Sequence, residues 1–176
     1  MAVTGFKYAA TITSETPGAT AWVNPSNAGA DDNTYTTQTG AKSTTYQFLK
    51  AVNYGFTTTD IPTGSTINGI EVVIGKYCPS ESPIEDYQVY IIKGGTPGTT
   101  NYALAGGWDI YETAYTYGGS KSLWGLRWAV ADIKGATFGL KFQLSIGKNQ
   151  IAYIDYIKIR VHYTESETTA RRIFII

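Results

Sequence analysis

The stretch from Phe138 to Tyr163 constrains the fold more than any other. Apolar side chains fall at every second position through Phe138, Leu140, Phe142, Leu144 and Ile146, with Lys141, Gln143 and Ser145 between them. The alternation resumes at Ile151 and carries Ile157, Ile159, Val161 and Tyr163 on one face, with Lys158, Arg160 and His162 on the other. Successive side chains of a strand project to opposite sides of its sheet, so both runs read as strands with one buried and one wet face. Gly147-Lys148-Asn149-Gln150 separates them, and the spacing predicts a hairpin closed by that loop. Asp155 interrupts the inward register, which marks a bulge or a buried pair with a basic residue.

The rest of the chain follows the same grammar. Strands are predicted over Val3–Ile12, Thr20–Val23, Thr44–Phe56, Thr66–Tyr77 and Asp86–Lys93, with an edge pairing at Asn101–Leu104 and one helical turn at Val130–Lys134. Pro- and Gly-bearing turns punctuate them, as at Pro17-Gly18, Ile61-Pro62-Thr63-Gly64 and Gly94-Gly95-Thr96-Pro97-Gly98. Asn24–Ser43 is polar and small and reads as a long surface loop, a length usually reserved for function or flexibility. Short strands at turn-punctuated spacing, without an amphipathic helix, predict an all-β fold: a single antiparallel β-sandwich, with a jelly roll as the expected form. The sandwich is expected to occupy residues 1–163, followed by a tail at 164–176.

Bulk properties narrow the classes of function. A chain of 176 residues buries enough surface for a core held by packing alone, and the lone Cys78 offers no internal disulfide. Fourteen basic residues balance fourteen acidic ones, so the field that draws proteins onto nucleic acid is missing and no nucleic-acid partner is expected. The sequence has no basic start followed by an apolar run and no apolar run of about 18 residues, which predicts neither a signal peptide nor a membrane span.

Catalytic chemistry finds little support. His162 is the only histidine and falls on the wet face of its strand, and no Gly-x-Ser-x-Gly elbow occurs. One Cys and one His give no zinc spacing. Glu81, Glu85 and Asp86, and likewise Asp109 and Glu112, cluster in predicted turns, where carboxylates are ordinarily solvated. Asp31-Asp32-Asn33 offers oxygens to calcium but lacks the spaced ligands and closing glutamate of a known loop, so a turn is the expectation. No catalytic set, metal or cofactor is therefore expected. The aromatic set Trp108, Tyr111, Tyr115 and Tyr117 fits two roles: a platform on which sugar rings stack, or a cover over one end of the sandwich or at an interface.

The tail ends in Arg171, Arg172, Ile173, Phe174, Ile175 and Ile176 after a polar spacer. Such a terminal apolar run needs a cover. It either folds back as a last strand of its own sandwich or adds to a neighbouring subunit by strand exchange.

Three groups of residues carry a resemblance. They are Ile61–Val72, the pair Tyr117-Gly118-Gly119-Ser120 and Leu123-Trp124-Gly125-Leu126, and the runs Ala131-Asp132-Ile133, Phe138-Gly139-Leu140 and Ala152–Ile157. Together they resemble bacteriophage virion structural proteins of the small β-sandwich kind, found as capsid decoration, head-fibre or tail-appendage proteins, over about residues 44–164. The resemblance implies a non-enzymatic surface protein that binds the shell and stabilises it. It further implies assembly in the host cytoplasm into the virion, self-association with a trimer as the expected form, and contact with the major capsid or another virion protein. A carbohydrate-binding module that uses the loop aromatics to hold a host glycan is the alternative.

Deleting residues 165–176 tests the exchanged tail. If those residues link subunits, sedimentation of the truncated chain gives monomers; an oligomer of unchanged stability removes the idea.

Overall fold

β-branched and aromatic residues at alternating positions nucleate long strands, and Gly, Pro and Asn end them. The computed structural model describes residues 1–40, 46–80, 84–147 and 149–166. In chain order its strands are β1 (Ala2–Val3), β2 (Lys7–Tyr8), β3 (Thr11–Glu15), β4 (Thr36–Gly40), β5 (Phe48–Val52), β6 (Thr66–Tyr77), β7 (Ile84–Lys93), β8 (Thr96–Pro97), β9 (Thr113–Gly118), β10 (Gly139–Ile146) and β11 (Gln150–Thr164). A short helix, α1 (Val130–Lys134), lies where one helical turn is predicted.

Two antiparallel sheets face each other as a β-sandwich. One runs β1-β11-β6-β9, with β2 and β4 also paired to β11; the other runs β3-β5-β10-β7-β8. The chain changes sheet at nearly every connection from β3 onward, the crossing habit of a jelly roll. Inward rows from both sheets, among them Leu49, Ile70, Ile74, Val89, Leu140, Phe142, Ile157 and Val161, merge into one core.

The predicted hairpin of Phe138–Tyr163 does not form. Both strands exist and bury most of the expected faces, though Gln143 is buried where a wet position is expected and Ile151 is exposed; β10 pairs with β5 and β7 while β11 pairs with β6 and β4. Period-two alternation specifies which face of a strand is buried, and two strands facing each other across a core read the same as two lying side by side. The first predicted strand is three, β1 to β3, and Thr20–Val23 supplies isolated bridges at Thr20 and Val23. The expected long loop at Asn24–Ser43 contains a 3-10 turn at Pro25–Ala28 and the strand β4. Asn101–Leu104 forms no strand, though the Tyr102 N–H donates to the Val89 carbonyl at 2.9 Å. Arg171–Ile176 lies outside the described residues.

Among the residues that carry the resemblance, Trp124 and Gly118 pack against β6 near Ile70. Trp124, with φ of 56°, turns inward, donates its indole N–H to the Ile70 carbonyl at 3.0 Å and packs on Tyr102 at 4.1 Å between ring centroids. Gly118 makes this possible: its φ is 71°, and a Cβ there would lie 2.4 Å from the Ile70 oxygen and 2.6 Å from Trp124 Nε1. Trp124 is almost wholly buried, so Trp124→Ala is expected to destabilise the fold by about 3–5 kcal/mol in denaturant titration. Trp124→Phe should cost less, keeping most of the packing but losing the indole donor.

Candidate functional site

A cation enclosed by aromatic rings needs a counter-charge, and Lys76 has one. It projects inward from β6, in one sheet, and forms an ion pair with Asp86 of β7, in the other. Asp86 also accepts the Trp108 indole N–H at 2.9 Å, the Tyr117 hydroxyl at 2.7 Å and the Leu104 N–H at 3.2 Å. The ammonium sits 4.3 to 5.3 Å from the ring centroids of Tyr115, Trp108, Phe142 and Tyr117. Burial drives the Lys76 pKa below its ordinary value, and Asp86 opposes that shift. Burial also raises the Tyr117 phenol, with the Asp86 charge adding to it. Asp86 is thus a buried ligand of a lysine, not the solvated turn carboxylate expected from its neighbours in sequence.

Of the two roles open to the aromatic set, this network gives three of its rings the covering one rather than a sugar platform. Trp108 is 6% exposed and Tyr117 1%, both committed to Asp86, and half-buried Tyr115 faces inward with its hydroxyl accepting the Asp109 N–H at 2.7 Å. Tyr111 alone of the four stands in solvent, at 77% exposure. Asp86→Ala, which strands the Lys76 charge in the core, is expected to cost about 3–5 kcal/mol in chemical denaturation. The paired replacement Lys76→Met with Asp86→Leu should recover most of that loss.

The outer face of the six-stranded sheet offers a different aromatic group. Tyr77 of β6 and Tyr153 of β11 are cross-strand partners whose rings stack at 4.8 Å and 17°. Tyr35, just before β4, meets both edge-on, at 5.4 and 5.8 Å. All three rings are half-buried. Beside them Ala114, Thr116 and Gly118 give β9 a row of small, exposed outward positions. Gly75 is small because Tyr156 lies over it, 2.4 Å from where a Cβ would stand. Further along, Arg160 donates from Nη2 to both Glu71 oxygens at 2.8 and 3.0 Å, and His162 Nε2 lies 3.3 Å from Glu71. His162 therefore faces outward as predicted, paired with a carboxylate.

At the tyrosine end three acids converge. One carboxylate oxygen from each of Asp31, Glu112 and Asp155 lies within 4.8 Å of the other two. The Tyr35 hydroxyl donates to Glu112 at 3.0 Å, and Lys158 reaches Asp31 at 3.2 Å. Asp155 sits where the β11–β6 register shifts between Ile154 and Tyr156, so the sequence anomaly is a bulge. Glu112 could not be linked to Asp31 and Asp155 by spacing, since the three are distant in the chain and meet only when β9 and β11 join one sheet. Separately, a cavity of about 580 Å³ between Thr39, Pro79, Asn149, Gln150 and Ile151 lacks a charged side chain among its described lining residues.

No family model matches this chain, and no curated protein matches it. Among solved structures, the CBM22-1 xylan-binding domain of Xyn10C from Paenibacillus barcinonensis is similar over 93% of this chain and 97% of that one, at a TM-score of 0.48 and 8% identity. The class defined by the fold is an all-β antiparallel sandwich.

Proposed function

We propose that this chain is a non-catalytic carbohydrate-binding β-sandwich that receives an oligosaccharide across the outer face of its six-stranded sheet. The observation that carries this reading is the packed trio Tyr35, Tyr77 and Tyr153 beside the small exposed positions Ala114 and Thr116 of β9. A sugar ring has one apolar face and a rim of hydroxyls. Tyrosine offers a ring to the first and a hydroxyl to the second, and mutual packing fixes the three rings at little entropic cost. Arg160, Glu71 and His162 add donors and acceptors on the same face for the rim hydroxyls.

The virion surface role is a second reading. It is supported by the resemblance over residues 44–164 and by the exposed apolar side chains Leu104, Ile110 and Tyr111 in the excursion before β9, which suit a subunit or shell contact. The two readings are compatible, since a particle-surface protein can also hold a glycan.

Glycan-array screening followed by calorimetry tests the first reading. Tyr153→Ala and Tyr77→Ala are each expected to weaken the best-bound oligosaccharide by roughly tenfold, about 1.4 kcal/mol, with the melting transition retained. An array without binding, or affinity indifferent to both substitutions, sinks it. Particle association lost in a Leu104→Ser, Ile110→Ser double variant would favour the second reading.

A further inference from the structure

We propose that Asp31, Glu112 and Asp155 form a binding site for a divalent cation, with calcium as the ion the site suits. This inference is independent of the glycan reading, because it concerns the ion alone.

The geometry starts from Asp155. Its side chain is buried to 1% exposure at the β11 bulge. Oδ1 accepts the Asp32 N–H at 3.4 Å, which ties it to the loop before β4, while Oδ2 has no hydrogen-bond partner. A buried carboxylate oxygen without a donor is costly, and natural structures seldom leave one unless an ion or water occupies the place. What faces it is more negative charge: Glu112 from the segment before β9 and Asp31 from the loop, with oxygens within 4.8 Å of one another and of Asp155. Two oxygens bound to one calcium ion at 2.3–2.6 Å lie at most about 5 Å apart, so the span fits a shared cation.

The surrounding donors do not neutralise the cluster. Lys158 reaches Asp31, and the Tyr35 hydroxyl reaches Glu112, but neither touches Asp155 Oδ2. Asp32 accepts the Thr34 N–H at 2.9 Å. Calcium accepts irregular shells of six to eight oxygens and completes them with water, which suits two exposed carboxylates over a buried third; magnesium demands a tight octahedron. The expectation of no metal rested on Asp31-Asp32-Asn33 as a loop on its own, and the fold supplies the two ligands that loop lacks.

The stacked tyrosines provide a probe. Tyr35 touches Glu112, so terbium bound in place of calcium should emit when tyrosine is excited. The full chain, stripped with a chelator, is expected to show this emission on adding terbium and to lose it on adding calcium. Calcium is also expected to raise the melting temperature, and magnesium to do so less. Glu112→Gln, at an exposed position, should fold normally and lower calcium affinity by at least about tenfold, while Asp155→Asn should abolish the response. Calorimetry of the stripped protein that shows no calcium binding overturns the proposal. So does a calcium response unchanged in both variants. Stability that rises on mild acidification with no calcium response would mean that Glu112 and Asp155 share a proton, and would likewise overturn it.

Discussion

The ion pair between Lys76 and Asp86 ties the two sheets together at the end of the sandwich where β6 gives way to β7. A charge that deep is tolerated only when its partner and remaining hydrogen bonds are in place. Trp108, Tyr115 and Tyr117 are consequently placed by the needs of Lys76 and Asp86. Because Tyr117 and Tyr115 must point inward, the alternate positions of β9, Ala114, Thr116 and Gly118, must point outward. The small-residue strip on the outer face is thus the reverse side of the buried network. The chemistry available on the surface is set by a constraint inside it.

Much of the fold was legible. β6 lies where alternation of Ile70, Val72 and Ile74 places it, α1 forms at the predicted turn, and β10 and β11 bury the predicted faces except at Gln143, which is buried, and Ile151, which is exposed. What alternation leaves open is the neighbour, since hydrogen-bond partners are chosen by tertiary packing that a period-two pattern does not encode. β4 was hidden because Thr36-Thr37-Gln38-Thr39-Gly40 lacks an apolar row; its inward positions are Thr36 and Gln38, buried through hydrogen bonds to the Val23 and Thr20 carbonyls.

The candidate site was legible only in fragments. Asp155 stood out as an acid in an apolar row, and Asp31-Asp32-Asn33 as a possible oxygen source, but nothing local joined them or pointed to Glu112. The aromatic excursion was visible too, yet its rings serve the core, because a Trp or Tyr next to a buried charge is as useful as one next to a sugar. Tyr35, Tyr77 and Tyr153 are separated widely in sequence and become a group only through the β11–β6 and β11–β4 pairings.

One strand organises the larger sheet. β11 pairs with β1, β2, β4 and β6, and of all the strands described only β7 and β8 pair with their immediate successor or predecessor in the chain. Local contacts therefore reward early folding very little, and loop closure over long separations must precede most hydrogen-bond ladders. A growing chain that has not yet produced β11 holds β1, β2 and β4 with exposed edges and no template. The edges of β1, β2 and β4 are satisfied only once β11 is in place, and a topology built on such distant pairings is expected to fold slowly.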